Sequence, residues 1–421
     1  MNTPQLKADE AQPASRFASP LLPIFLIVLV DILGFTIVLP LLPFYAEQLG
    51  ASPTVVGTLV AMYAICQLIS GPILGQLSDR FGRRPVLLVS QAGTLVGFVM
   101  MALAGKLWMV FLARAIDGAT AGNLSTAQAY ISDVTKPEER TRSFAIIGIA
   151  FGFGFLVGPG ITGLLAHYSN QAPLWAASAL SFTSIVFTFF LLPRKEPVHQ
   201  HPEDPVTGPG GKRLSLISWG QYIKFFRVPQ MSRLLVQWCC FSLSFSTFIA
   251  GFALFAERRY QYQGHPVGVV QIGWIFAFNG FIGIIMQGGV VGRLVKRFGE
   301  RRVVEMGFLG SFLGYAGMGF TYTIYQLLAV MTFTAVVGAG LRPALTSLVT
   351  KQAGRREQGV ILGLTQSLTS LAQITAPPLA GYLIGRYWLT PWAIWAGVLS
   401  GLALIFEARA SSLSSPANET V

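Results

Sequence analysis

Long apolar runs alternate with short polar breaks along almost the whole chain. Twelve runs stand out, over about residues 21–45, 53–77, 84–104, 107–131, 141–166, 172–192, 233–256, 268–293, 301–320, 324–349, 358–384 and 389–408. Each is about as long as the ~20 residues a helix needs to cross a hydrocarbon core. A helix also keeps its backbone hydrogen bonds within the segment, which a bilayer demands. Turn signals separate the runs, as at Gly50-Ala51-Ser52-Pro53, Lys136-Pro137 and Asn170-Gln171-Ala172-Pro173. The pattern predicts an all-α membrane protein with twelve transmembrane helices.

The pattern also repeats. GQLSDRFGRR at 75–84 returns as GRLVKRFGERR at 292–302, an offset of 217, and GPGITGLL at 158–165 returns as APPLAGYL at 376–383, an offset of 218. Two landmarks at nearly one offset predict two pseudo-symmetric six-helix bundles, a plan in which substrate sites lie between the halves at mid-membrane. The expected organisation is a tail at 1–20, a first bundle at 21–192, a linker at 193–232, a second bundle at 233–408 and a tail at 409–421. The linker opens PRKEPVHQHPEDPVTGPGGKR, rich in Pro, Gly and charge. Its later part, SLISWGQYIKFFR, has the Trp, Phe and basic residues of a short interfacial helix.

Composition agrees with membrane insertion. Of 421 residues, 52% are hydrophobic and 11% charged, against roughly 25% charged in soluble domains. The net charge of +12 would suggest nucleic acid if it formed one surface, but it alternates with the spans. With a cytoplasmic N-terminus, 24 Lys and Arg fall on the inner side and four (Lys106, Arg258, Arg259, Arg386) on the outer. That asymmetry predicts both termini inside and leaves no role for nucleic acid. Residues 1–20 are polar and no cleavage pattern follows them, so the first run reads as a retained span, as in a bacterial inner membrane. Cys66, Cys239 and Cys240 lie within apolar runs and the four histidines are scattered. Neither a disulfide framework nor a metal site is expected, and no GxxxxGK[ST] loop points to ATP.

Charges inside the spans carry the chemistry. Asp31 is the only charge in residues 21–45, and a carboxylate at that depth costs several kcal/mol. Burial and a nearby cation shift its proton affinity in opposite directions, which suits a proton carrier. Arg114 lies in the fourth span with Asp117 one turn on, close enough to pair. Two roles are open for that pair: a fixed structural contact, or control of protonation in the cavity. Arg342 stands in the tenth span with no evident partner. Aromatic and amide side chains at helical spacing complete a candidate cavity for an amphipathic molecule. They are Phe35, Tyr63, Gln67, Asn123, Gln128, Phe151 and Phe155 in the first half, and Phe245, Phe248, Trp274, Asn279, Gln287, Gln366 and Gln373 in the second.

Four motifs bear a family resemblance: LVDILGFTIVLPLLPFYAEQLG in the first span, GQLSDRFGRRP after the second, RAIDG in the fourth and GFGFLVGPGITG in the fifth. Together they resemble the major facilitator superfamily, and within it the twelve-span drug:proton antiporters. SDRFGRRPVLL and AYISDVTKPEER are similar to the tetracycline-efflux-like branch. The resemblance implies the major facilitator fold and a monomer in the bilayer that exports small amphipathic molecules in exchange for protons, with no other cofactor. It implies that Gly75, Asp79, Arg80, Gly82, Arg83 and Arg84 form a gate that holds one end closed in one state, and that Gly154, Gly158, Pro159 and Gly163 form the antiporter helix motif. It implies that Asp31, Arg114 and Asp117 couple protons. One position departs: tetracycline exporters carry a third-span acid where this chain has Gly97, which argues against tetracycline itself. Metabolite transport and a non-transporting sensor on the same fold are the rival readings. No catalytic constellation lies within the spans.

Overall fold

The computed structural model describes residues 21–135, 140–192, 224–353 and 358–413, the side chains of 21, 132, 140–146, 358–359 and 406–413 excepted. The expected first tail, the second beyond residue 413 and nearly all of the linker, including most of the stretch expected to form an interfacial helix, lie outside the described residues; the last helix runs on to Leu413, past the expected end of the second bundle at 408.

The first half consists of α1 (Leu21–Gln48), α2 (Pro53–Phe81), α3 (Arg83–Ala102), α4 (Leu107–Ala119), α5 (Asn123–Val134), α6 (Arg140–Leu165) and α7 (Ala172–Leu191). The second consists of α8 (Pro229–Arg259), α9 (Val269–Ile285), a π-turn (Met286–Val290), α10 (Val291–Phe298), α11 (Glu300–Met318), α12 (Ile324–Gly338), α13 (Leu341–Gln352), α14 (Gln358–Gly385) and α15 (Leu389–Leu413). A two-residue hairpin, β1 (Gln261–Tyr262) and β2 (His265–Pro266), caps α8. Its central residues Gln263 and Gly264 both have positive φ, the requirement of a tight two-residue turn.

Eight described helices are long and apolar enough to cross a membrane. Joining α4 to α5, α9 to α10 and α12 to α13 gives the twelve expected rods. The joins differ from the uninterrupted spans expected for the fourth, eighth and tenth rods. The fourth breaks over Thr120–Gly122 and the tenth over Ala339–Gly340. Gly122 and Gly340 are 218 residues apart, the repeat offset. A Cβ on Gly122 would meet Leu74 and Ser90, and one on Gly340 would meet Val303. Neighbouring helices therefore press on the break in both halves. The repeat also fixes the turn after the second rod of each half. Gly82 (φ 93°) and Gly299 (φ 81°), 217 apart, join α2 to α3 and α10 to α11 in a conformation that favours glycine.

The two halves share a core at one end only. One apolar core runs through both at the end away from the termini, joining Ile37, Leu41 and Phe98 to Phe252, Ile272 and Trp392. At the end that carries the termini the cores are separate: one in the first half around Ile24, Leu87 and Tyr130, and two in the second around Phe308 and Ile361. Glycines mark the same division. A Cβ on Gly57 or Gly381 would strike the backbone of Pro377 or Pro53, seating α2 on α14. A Cβ on Gly273 would lie 2.6 Å from the Pro159 carbonyl, seating α9 on α6. Toward the other end of α2, α6 and α9, a Cβ on Gly71, Gly75, Gly148 or Gly283 would meet nothing within 4 Å.

Candidate functional site

The first half holds a polar cluster at mid-depth. Asp31 Oδ1 accepts a hydrogen bond from Ser184 Oγ of α7 at 3.0 Å, and Ser184 in turn accepts one from Gln91 Nε2 of α3 at 2.7 Å. Asp31 Oδ2 is buried without a hydrogen-bond partner, although the Asn123 amide of α5 lies beside the carboxyl. Among the described residues Asp31 makes no ion pair. Arg114 instead bonds Asp117 Oδ2 at 3.0 Å, with both side chains under 9% exposed, and its guanidinium lies 4.4 Å from the Tyr63 ring centroid. Gln67 Nε2 donates to the Tyr63 hydroxyl at 3.2 Å. The expected α4 pair thus exists, and it leaves the first-span acid free of the first half's buried cation.

Gly97 packs directly against this pair. A Cβ there would lie 3.1 Å from Asp117 Cβ and 3.1 Å from the Ala113 carbonyl. An acid at this position, as the resemblance to tetracycline exporters would lead one to expect, would stand on Asp117 here, beside a cation that is already neutralised.

The fifth-span motif divides its contacts. Thr36 Oγ1 of α1 donates to the Gly154 carbonyl at 2.8 Å, and Thr162 Oγ1 donates to the Ile37 carbonyl at 2.6 Å. A Cβ on Gly154 would hit Ile32, the residue after Asp31, and one on Gly158 would hit Thr36. On the other side, Pro159 and Gly163 face Gly273 of α9. One helix therefore touches both the acid-bearing rod of the first half and the second half.

The loop motif expected to form a gate is bonded within the first half. Arg83 bonds Asp79 one turn before it and Asp133 at the end of α5, the latter at 2.8 Å. Arg84 donates to the Phe189 carbonyl and lies 5.3 Å from that ring, so it holds α7 by a carbonyl and not by a carboxylate. Arg80 lies over Phe81. Gly75 borders open space instead of a packed helix.

Several cavity candidates are placed otherwise than expected. Phe248 is buried in the second half's core, stacked on Tyr315 at 4.9 Å and edge-on to Phe276. Trp274 is exposed in a cleft at the end away from the termini, with Gly163, His167 and Tyr168. Asn279 turns its amide to the Ile275 carbonyl and Met331 sulfur. Phe245 stacks on Phe241. Gln128, Gln287 and Gln366 are exposed, whereas Phe35, Phe155 and Gln373 are half-buried. Arg342 reaches across the gap, its guanidinium 5.4 Å from the Phe151 ring of the first half.

Two features escaped the sequence reading. Gln91 and Ser184 signalled themselves only as polar residues in apolar runs. Arg258 Nη2 bonds Glu47 Oε1 at 2.6 Å, the one ion pair among the described residues that joins the halves. The sequence showed both only as residues near span ends.

Known proteins resemble this chain in sequence and in architecture. The family model described as Major Facilitator Superfamily matches residues 24–295 and 271–419. The tetracycline resistance protein, class C, of Escherichia coli is 31% identical over 353 residues, 83% of this chain and 86% of that protein. Multidrug resistance protein 2 of Bacillus subtilis is 26% identical over 375 residues, 86% of this chain and 88% of that protein. Among solved structures, the human organic anion transporter MFSD10 (TETRAN) superposes with a TM-score of 0.71 at 23% identity, covering 92% of this chain and 98% of that one. A POT family transporter in complex with 5-aminolevulinic acid does so with a TM-score of 0.76 at 15% identity, covering 95% and 98%.

Proposed function

Because this chain belongs to the major facilitator superfamily, is a multi-pass membrane transporter and not an enzyme, and is related to drug-efflux proteins, we propose that it exports amphipathic small molecules from a bacterial cytoplasm in exchange for protons, working as a monomer with both termini inside. The carrying observation is Asp31. It lies at mid-depth, takes one hydrogen bond from Ser184, and has a second oxygen with no partner to lose on protonation. Arg114 is committed to Asp117, so Asp31 exchanges its proton without breaking an ion pair.

Alternating access supplies the route. Halves sealed at one end and parted at the other correspond to the inward-open state when the termini are cytoplasmic. Protonation of Asp31 removes a charge next to Ile32, which packs on Gly154 of α6. Since α6 also seats on α9, it is the mechanical link from the proton site to the contact between the halves, a two-state element of the kind coupling requires. The arrangement at Gly97 speaks against tetracycline, although relatives carry that name.

The test is a resistance panel in efflux-deficient cells, comparing wild type with Asp31→Asn at matched membrane expression. The panel holds cationic, neutral, anionic and zwitterionic drugs plus tetracycline. Wild type is expected to protect against some compounds but not tetracycline, and the variant against none. Equal protection by the variant would overturn the role given to Asp31. Protection by neither would overturn drug export and favour metabolite transport.

A further inference from the structure

Resting on the export reading, we infer that Arg342 is the second pole of the substrate site and that the exported molecules are dipolar, with an acid group held by Arg342 and a basic or polarisable centre turned toward Asp31. Arg342 sits in the first turn of α13, just past the break in the tenth rod. No carboxylate of the described residues pairs with it, and its guanidinium lies over the face of Phe151 across the gap. An arginine at this depth is expensive without an anion or water to compensate it. The second half offers no anion of its own. From residue 229 onward the chain has no aspartate, and its glutamates (257, 300, 305, 357, 407 and 419) fall near rod ends, in connections or in the tail.

The two arginines within the spans are thus used differently. Arg114 is neutralised by Asp117 and covered by Tyr63, and nothing is left for a ligand. Arg342 is exposed to the space between the halves, with its donors open and in the planar geometry that suits a carboxylate. The first half carries one acid without a cation, Asp31, beside a balanced Arg114–Asp117 pair. Phe151 lies between the poles: it touches Arg342 and packs on the cluster of Val28 and Ile32 that flanks Asp31. A flat apolar body on Phe151, with an acid at one end and a base at the other, satisfies every group present. The base competes with the proton for Asp31, which is what exchange requires. The acid neutralises an arginine that no carboxylate of the described residues pairs with.

The test uses two aromatic bodies together with every compound that wild type exports in the resistance panel. The bodies are norfloxacin and a biphenyl with a carboxylic acid at one para position and an aminomethyl group at the other, each with its ester and its N-acetyl derivative. Binding is measured on the purified full chain in nanodiscs for wild type, Arg342→Gln and Arg342→Lys, each checked for a monodisperse elution profile. For at least one body, wild type is expected to bind the dipolar form more tightly than either the ester or the acetyl derivative. Arg342→Gln is expected to weaken the dipolar form by about tenfold and the ester by less than about twofold, as loss of one charge-assisted contact implies. Arg342→Lys is expected to recover part of the loss. The inference is overturned if esters bind as well as acids, if the exported compounds carry no acid group, or if Arg342→Gln weakens all forms equally, which is the mark of a structural charge. In those outcomes export stands and only the dipolar site fails. Absence of any export overturns the functional reading itself.

Discussion

At the scale of single residues, the charges sort by whether they are matched. Asp117 neutralises a buried arginine, so Asp117→Asn leaves Arg114 with no anion and costs about 3–5 kcal/mol. The expected result is a sharply lowered thermal midpoint in detergent, whereas Asp31→Asn, which strands no cation, keeps the wild-type midpoint. Equal loss in both would show that Asp31 also serves as a structural counter-charge. Glu300, at the head of α11, is a milder case. Burial alone would push its carboxyl up, but hydrogen bonds from Lys351 at 2.7 Å and Ser347 at 2.6 Å outweigh it and hold the group below its ordinary value of 4.5. A lowered value means that the stabilisation is present above pH 4.5 and disappears as the pH falls through the folded value. Lys351 is 68% exposed, so the pair contributes no more than about 1 kcal/mol. A melting series of wild type against Glu300→Gln should show a small gap at neutral pH that closes in acid.

At the scale of helices, the internal repeat extends further than its motifs. Asp133 closes the first half's contact between α5 and the head of α3, and Lys351, at the repeat offset of 218, closes the matching contact between α13 and the head of α11. The position is kept and its charge is reversed. The fifth-span motif makes the sharpest prediction here. Gly158→Leu would force α6 off Thr36 of α1, an overpacking worth about 1–3 kcal/mol. Transport should fall much further than stability, because the same helix carries α9; parallel losses would mean that α6 only packs. Much of this level was legible from sequence. Apolar runs placed the rods, and GQLSDRFGRR with its copy exposed the duplication. The breaks at Gly122 and Gly340 were hidden, since a mid-span glycine reads equally as close packing, and only the helices pressing on it decide. The cavity list fared unevenly for a related reason. Helical spacing says which residues share a face but not whether that face meets the gap, as with Arg342, or the core, as with Phe248.

At the scale of the molecule, two halves share one apolar core at one end and keep separate cores at the other. The Glu47–Arg258 pair fastens the shared end. Arg258→Gln should remove about 1 kcal/mol from the closed form of that end, a shift of about fivefold in the population ratio. Spin labels placed on α2 and α14 at the end away from the termini would read it as growth of a longer distance. An unchanged distribution would mean that the glycine contacts alone hold the end shut.

The most direct test of the central claim, proton exchange through Asp31, is one transport assay run in two modes. Proteoliposomes containing wild type or Asp31→Asn are loaded with a compound that the resistance panel shows to be exported. Uptake of labelled compound is then followed either against a pH gradient or by exchange with unlabelled compound at uniform pH. The account predicts that Asp31→Asn abolishes gradient-driven accumulation while exchange persists, since the halves still rock but no proton is carried. Gradient-driven accumulation at the wild-type level in Asp31→Asn would contradict it.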